Sequence, residues 1–210
     1  MTPLTDRQGI CFESYDSGKS QVLRGSAGTG KTFIAMYNAF NEILNSKQRY
    51  RRIVIVRSAV ATRDIGHLPG TMEEKGAVYE LAYMGICNEL FGRGDAYGLL
   101  KKVGAIQFML TSYVRGITLD ETIVIVDEFQ NLSNHELDSI MTRLGKKSKI
   151  IFCGDTIQSD ITRGSERDNS AFFKVLDGME KDFDTHVFDS SDIVRSGIVK
   201  RYIQKRDSDK

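Results

Sequence analysis

The sequence predicts an α/β fold in which a doubly wound, mostly parallel sheet is flanked by helices. Segments of strand character alternate with segments of helical spacing along the chain, and this order builds parallel strand–helix–strand units. The segments 53–57 and 122–126 are apolar at nearly every position. Strands buried on both faces of a parallel sheet have this character, so the two observations indicate the same architecture.

The first half of the chain has helices where apolar residues recur three or four positions apart and strands where short apolar runs occur. In the helix after the Gly-rich turn, Ile34, Ala35, Ala39 and Phe40 face inward. The Gly-rich stretch 92–98 separates a long helix from a short one. The predicted order is a helical segment at 4–12, a strand at 20–24, a helix at 32–44, a strand at 53–57, a helix at 73–91, the short helix and a strand at 106–110.

The second half continues the alternation. Ser133 and Glu136 form a capping box that begins a helix running to about residue 144. The remaining elements are strands at 122–126, 149–153 and 185–188 and helices at 169–179 and 192–206. The C-terminal segment 190–210 is therefore expected to be helical.

Length and composition predict one domain over residues 1–210. The chain is 40% hydrophobic, and with only Pro3 and Pro69 it has no evident hinge. The 29 basic and 28 acidic residues nearly cancel, so the overall charge does not indicate a nucleic-acid partner. Any such contact must come from local patches.

The scattered cysteines and histidines exclude a zinc-site or disulfide pattern. No apolar run reaches the length of a membrane span, and the N-terminus lacks the layout of a signal peptide. We therefore expect a cytoplasmic protein with reduced thiols.

A phosphate-binding loop is predicted between the first strand and the next helix. The segment GSAGTGKT fits G-x-x-x-x-G-K-[ST] in the structural context that this motif requires. Glycines allow backbone N–H groups to point at phosphate oxygens, and the helix adds its positive end. Lys31 would neutralise phosphate charge and Thr32 would hold Mg²⁺. The predicted ATP-binding residues are Gly25, Ser26, Ala27, Gly28, Thr29, Gly30, Lys31 and Thr32; the alternative is a Gly-rich turn with an incidental lysine.

Acidic residues follow the buried strand at 122–126. Asp127 is expected to hold Mg²⁺ and Glu128 to act as general base toward water. Alternatively, this carboxylate pair is a solvated strand end or a charge at the entry to a helix. After the strand at 149–153, Asp155 and Gln158 are expected to face the γ-phosphate, because ligands bind at the carboxyl ends of parallel strands. The alternative is that Asp155 caps a turn and Gln158 is merely exposed.

Seven motifs in order give the chain a close resemblance to the PhoH family of P-loop ATPases. They are GSAGTGKT, RSAV with LPG, RGITL, IVIVDEFQN, TRLG, GDTIQSD and DIVRSGIV. The family usually has proline where Ser58 stands, an aromatic residue at His67 and a Gly-Glu step within 62–65. These departures concern one loop and leave the motifs of the ATP site intact.

The resemblance implies a RecA-like P-loop NTPase core similar to the first motor domain of superfamily 1 helicases, with ATP and Mg²⁺ as ligands and a link to RNA metabolism. In the N-terminal segment 1–19, LTDRQ resembles the short motif by which related helicases contact adenine, with Gln8 as the reader. Larger members carry a PIN nuclease domain, for which 210 residues leave no room. The compact form resembles versions from bacteriophages, which would act in the host cytoplasm.

A single core of this kind lacks the cation that a second lobe would bring to the γ-phosphate. We therefore predict a homo-oligomeric ring, hexameric by resemblance, in which a neighbouring subunit supplies an arginine. The candidates are Arg195, Arg143 and Arg115 in that order, with Arg195 expected on the last helix. The alternative for Arg195 is a surface arginine between helix and sheet.

Nucleic-acid contacts are predicted in the loop 57–70, through Arg57 and Arg63. Further basic clusters occur at 47–52, 146–149 and 200–206, where cations are more often solvated helix ends. The leading hypothesis is an ATP-driven, ring-forming motor on single-stranded RNA or DNA. The alternatives are an ATP-gated assembly factor and a P-loop kinase of small molecules.

Overall fold

Six parallel strands form the central sheet of the computed structural model, which describes residues 2–45, 49–58, 72–155 and 169–208. The spatial order is β3-β2-β4-β5-β1-β6, and each neighbouring pair is parallel. This confirms the predicted α/β class and doubly wound sheet. The strands are β1 (Ser20–Gly25), β2 (Arg52–Arg57), β3 (Ile106–Leu110), β4 (Thr122–Asp127), β5 (Lys149–Gly154) and β6 (Phe183–Phe188).

Helices cover both faces of this sheet. Among the described residues, no helix has the length and apolar character needed to cross a membrane. The capping box of Ser133 and Glu136 is present at the start of α5, as predicted. The helices are α1 (Asp6–Asp16), α2 (Lys31–Asn45), α3 (Met72–Phe91), α4 (Ala96–Lys102), α5 (Asn134–Met141), α6 (Ser170–Asp177) and α7 (Gly197–Ser208).

The core has two layers because successive strand residues point to opposite faces of the sheet. Ile53 and Ile55 of β2 pack with α1 to α4, and Val54 and Val56 pack with α5 and α6. All four side chains are fully buried. The continuous apolar character of β2 in the sequence therefore follows from burial on both faces.

All six strands end at the same edge of the sheet, which we call the carboxyl edge; the opposite edge is the amino edge. β5 pairs with β1 on one side and with β4 on the other. The residues that follow β1, β4 and β5 are consequently neighbours at the carboxyl edge. The three polar motifs of the sequence converge there.

Helix α5 ends at Met141, earlier than the predicted residue 144. The chain leaves the helix because it pairs with the segment before β4. Leu119 donates its N–H to the carbonyl oxygen of Arg143 at 2.8 Å, and Gly145 donates to that of Leu119 at 3.0 Å. The end of α5 is thus set by a partner that is distant in sequence.

Helix α7 begins at Gly197, so the prediction of a helix from residue 192 is wrong. Residues 190–192 form a 3-10 turn closed by Asp189 and Asp192. The Val194 N–H then donates to the carbonyl oxygen of Gly28 at 3.1 Å, which holds this segment against the phosphate-binding loop. Arg195 therefore lies in the segment before the helix. Helix α1 and strand β6 match their predicted positions but extend further, to Asp16 and back to Phe183.

Candidate functional site

The phosphate-binding loop joins β1 to α2. Its glycines Gly25, Gly28 and Gly30 have φ angles of 125°, 78° and 84°, which side-chain-bearing residues rarely adopt. A Cβ atom on Gly25 would lie 1.8 Å from the carbonyl oxygen of Phe188. The Ser26 N–H donates to that same oxygen at 3.0 Å, so β6 anchors the start of the loop and requires glycine there.

Lys31 opens α2 and its ammonium group turns back into the loop. Its Nζ donates to the carbonyl oxygens of Gly25 at 2.8 Å and Ser26 at 2.7 Å. Burial lowers the pKa of Lys31, while the negative charge of Asp155 opposes this change. Among described residues, no carboxylate lies within ion-pair distance of this Nζ. Neutral carbonyls hold the lysine, and an anionic ligand can replace them.

Thr32 and Asp127 connect the loop to the end of β4. The Thr32 Oγ1 donates to the Asp127 Oδ1 at 2.7 Å, and the Tyr83 hydroxyl donates to the Asp127 Oδ2 at 2.8 Å. Asp127 is only 5% exposed. A hydroxyl and a carboxylate are oxygen ligands of the kind that Mg²⁺ prefers. These two oxygen ligands therefore fit the Mg²⁺ ion that accompanies a nucleoside triphosphate.

Glu128 follows Asp127 with a φ of 53°, in the left-handed region. Non-glycine residues in this region are uncommon and occur at functional sites. Gln130 donates its side-chain amide N–H to the Glu128 carboxylate, and its Oε1 accepts from the Asp155 N–H at 3.0 Å. Burial, followed by the charge of Asp127, raises the pKa of Glu128. An oriented carboxylate of raised pKa suits a proton acceptor.

A cavity of about 680 Å³ opens between the loop and the ends of β4 and β5. Its size is within the range of small-molecule sites. It brings together most of the predicted ATP-site residues. Its lining includes Gln8, Ala27, Gly28, Gly30, Lys31, Thr32, Asp127, Glu128, Asp155 and Arg195.

Gln8 lies at the margin of this cavity and is buried. Its Nε2 donates to the carbonyl oxygen of Thr29 at 3.1 Å, and its Oε1 accepts from the Leu4 N–H at 2.9 Å. α1 thus supports the phosphate-binding loop directly. Contact with adenine remains a prediction for Gln8. Gln158, predicted to face the γ-phosphate, lies outside the described residues.

The arginines predicted to act between subunits occupy different places. Arg195 lines the cavity of its own chain, where its Cγ would lie 3.0 Å from a Cβ on Gly28. Arg143 lies beyond the amino end of β4, because its carbonyl oxygen pairs with Leu119. Arg115 is exposed and its Nη2 lies 3.2 Å from the His135 Nδ1. Arg195 and Arg143 are thus on different edges of the sheet.

Arg57, predicted to contact nucleic acid, also lines the cavity. Its guanidinium carbon lies 4.9 Å from the ring centre of Tyr79. Arg57 is therefore engaged with α3 beside Asp127. Arg63 lies outside the described residues.

Sequence reasoning missed two polar residues of the site, Tyr83 and Gln130. Both lie on elements whose sequence resembles ordinary core or turn, and neither stands at the end of an apolar strand. The available signal for Tyr83 was its spacing from Tyr79, since residues four apart share one face of a helix. For Gln130 it was proximity to the acidic pair at 127–128.

Comparisons with known proteins place the chain in a family. The family model described as "PhoH: PhoH-like protein" matches residues 1–206. A PhoH-like protein of Bacillus subtilis is 32% identical over 184 residues, covering 87% of this chain and 56% of that protein. A PhoH-like protein of Mycobacterium leprae is 34% identical over 209 residues, covering 96% of this chain and 57% of that protein. The chain thus spans little more than half the length of these relatives.

Among solved structures, the large terminase of the thermophilic bacteriophage D6E, in complex with ADP, has a similar fold. The TM-score is 0.54 with 15% sequence identity, and the match covers 97% of this chain and 50% of the terminase chain. At this identity the likeness concerns the fold. It shows that the sheet and its helices form an arrangement that also occurs in this terminase.

Proposed function

The chain belongs to the PhoH-like protein family, and we propose that it is a magnesium-dependent ATPase. The observation that carries this proposal is the 2.7 Å hydrogen bond between Thr32 and Asp127 in the cavity that also contains Lys31 and Glu128. Phosphoryl transfer to water needs phosphate binding, a metal-holding carboxylate and a proton acceptor. The cavity contains a residue suited to each of these tasks.

In this proposal the residues divide the work of hydrolysis. The backbone N–H groups of the loop and the start of α2 bind phosphate oxygens, and Lys31 exchanges its carbonyl partners for them. Thr32 and Asp127 hold Mg²⁺, which when bound supplies positive charge beside the phosphates. Glu128, oriented by Gln130, accepts the proton of the attacking water. Asp155 adds a further carboxylate to the cavity, and its charge acts on Lys31.

Arg195 is proposed to bind the nucleotide of its own subunit. It lines the same cavity as Lys31, and the hydrogen bond between Val194 and Gly28 holds its segment on the loop. A cation near the phosphates stabilises charge that develops during transfer. If a neighbouring subunit adds another arginine, Arg115 is the better candidate, because it is exposed and follows β3 at the carboxyl edge.

We further propose that ATP hydrolysis drives a homo-oligomeric ring along single-stranded RNA or DNA, acting in the cytoplasm. The order and the sequences of the seven motifs support the proposal of a ring-forming motor. Arg57 lies against Tyr79, so the segment that follows Arg57 is better suited than Arg57 itself to contact a strand. Basic residues of that segment, such as Arg63, remain the candidates for contact with the strand.

Phosphate release by the purified chain tests these proposals. We expect Mg²⁺-dependent release from ATP that a single-stranded RNA or DNA increases, and an oligomeric mass in the presence of nucleotide. Lys31→Ala is the matched control. Nucleotide binding without release would favour the ATP-gated assembly factor, and phosphate transfer to an added metabolite would favour the kinase. Failure of wild type to bind MgATP would contradict every form of the proposal.

A further inference from the structure

A buried tyrosine contacts the carboxylate that is proposed to hold magnesium. Tyr83 lies on α3, is 0% exposed and donates its hydroxyl to the Asp127 Oδ2 at 2.8 Å. The other oxygen, Oδ1, accepts from Thr32 at 2.7 Å. We propose that Tyr83 is a positioning residue that orients the Asp127 carboxylate for the metal. This inference rests on the proposed ATPase function.

The two donors to Asp127 have different tasks. Thr32 belongs to the phosphate-binding loop and is itself proposed to hold the metal. Tyr83 belongs to a helix on the face of the sheet, and its hydroxyl has no proposed contact with the nucleotide or the metal. Hydrogen bonds to a metal-holding side chain fix its orientation and tune its affinity. Tyr83 is placed to do this for Asp127.

The tyrosine is held in place through its ring and its hydroxyl. Its ring packs against Phe108 of β3 with a centroid distance of 5.7 Å. One helical turn away on α3, the ring centre of Tyr79 lies 4.9 Å from the guanidinium carbon of Arg57, at the end of β2. The packing of the ring and of this helix therefore fixes the direction in which the Tyr83 hydroxyl donates to Asp127.

This arrangement makes the metal site depend on the docking of α3 against β2 and β3. An aromatic ring with a polar tip is well suited to this connection, because the ring packs in the core while the hydroxyl reaches the site. Phenylalanine would retain the packing and lose only the hydroxyl. The oxygen Oδ2 of a buried carboxylate would then lack a donor, which is costly.

Tyr83→Phe is the direct test, with Tyr97→Phe as matched control. Tyr97 is also buried, lies on α4 and does not line the cavity. Binding of a fluorescent ATP analogue is measured over a series of Mg²⁺ concentrations and without Mg²⁺. For Tyr83→Phe we expect the Mg²⁺ concentration that gives half of the maximal increase in binding to rise about 10-fold. Its affinity without Mg²⁺, and both quantities in Tyr97→Phe, should change less than about twofold.

An unchanged Mg²⁺ requirement in folded Tyr83→Phe would overturn the inference. So would an equal loss of affinity with and without Mg²⁺, which would indicate a general packing role. If wild type itself shows no Mg²⁺-dependent binding, the proposed function fails rather than the role of Tyr83. Circular dichroism establishes whether each variant is folded.

If Tyr83→Phe does not fold, the coupling of Tyr83 to Asp127 is tested by the folding of a double variant that also carries Asp127→Asn. A neutral amide at position 127 removes the buried charge that the lost hydroxyl leaves without its donor. Recovery of folding in the double variant would support the coupling of the two side chains. A double variant that stays unfolded would overturn it.

Discussion

Two lysines at opposite edges of the sheet, the half-buried Lys31 and the buried Lys149, differ in what holds them. At the carboxyl edge, Lys31 donates to the backbone carbonyls of Gly25 and Ser26. At the amino edge, Lys149 begins β5, is 2% exposed and pairs with the Glu42 carboxylate at 3.1 Å. Its Nζ also lies 3.7 Å from the ring centre of Tyr15.

The difference supports the proposed phosphate-binding role of Lys31 and indicates a structural role for Lys149. Burial lowers the pKa of both lysines, and a carboxylate opposes this change in each case, Asp155 for Lys31 and Glu42 for Lys149. Only Lys149 has its carboxylate at ion-pair distance and an aromatic face on the ammonium. Lys31 keeps its charge available for a phosphate. Breaking each set of contacts should therefore have opposite consequences for activity and stability.

Lys31→Ala is expected to have the largest effect on activity. Loss of the ammonium should lower the rate of phosphate release about 100- to 1000-fold, the loss typical for one charge-stabilising donor. The free energy of unfolding in urea should change by less than about 1.5 kcal/mol, because neutral hydrogen bonds contribute little net stability. An active Lys31→Ala variant would contradict the role given to this lysine.

Lys149→Ala is expected to show the reverse pattern. Removing the ammonium leaves Glu42 in the half-buried site without its partner, so the free energy of unfolding should fall by about 3 kcal/mol. The rate of phosphate release per folded molecule should stay within about twofold of wild type. The control is the double variant Lys149→Met with Glu42→Leu. Apolar replacement of both partners should restore most of the lost stability, and a double variant as unstable as Lys149→Ala would contradict the ion pair as the cause.

The dependence of the rate of phosphate release on pH is the smallest expected effect. It concerns only a residue at the carboxyl edge, Glu128. The pKa of Glu128 is raised above its ordinary value of 4.5, and a general base acts in its deprotonated form. Activity should therefore fall as the pH decreases through this raised pKa, about tenfold for each pH unit below it. Phosphate release measured against pH checks this. In Glu128→Gln the residual rate of phosphate release should be low and should not fall further as the pH decreases. If it falls over the same pH range as in wild type, a group other than Glu128 causes the pH dependence.

The chemistry-bearing motifs were predictable because each lies at the end of an apolar strand. Topology brings the carboxyl ends of neighbouring parallel strands together, and local sequence therefore located Lys31, Thr32, Asp127 and Glu128 at one edge. The helix boundaries of α5 and α7 were not predictable. Both depend on hydrogen bonds to partners far along the chain, Leu119 in one case and Gly28 in the other.

Basic residues were the least predictable part of the molecule. The cluster at 146–149 suggests solvated cations, yet Lys149 is buried against Glu42 and Tyr15. Arg57, predicted to contact a nucleic acid, lies against Tyr79, and the contact with nucleic acid stays a prediction. A long cationic side chain buries its stem wherever neighbouring elements provide apolar or aromatic surface. That surface comes from other elements of the fold.

The sequence by itself determined the parallel α/β sheet, the phosphate-binding loop and the strand ends at which the acidic residues lie. Apolar periodicity and glycine positions are local properties, and they specify local geometry. The tertiary structure alone decided that Arg195 lies on the loop of its own chain, that Tyr83 contacts Asp127, and that among the described residues Lys149 has a carboxylate at ion-pair distance while Lys31 does not. These features depend on which side chains meet after the helices dock on the sheet.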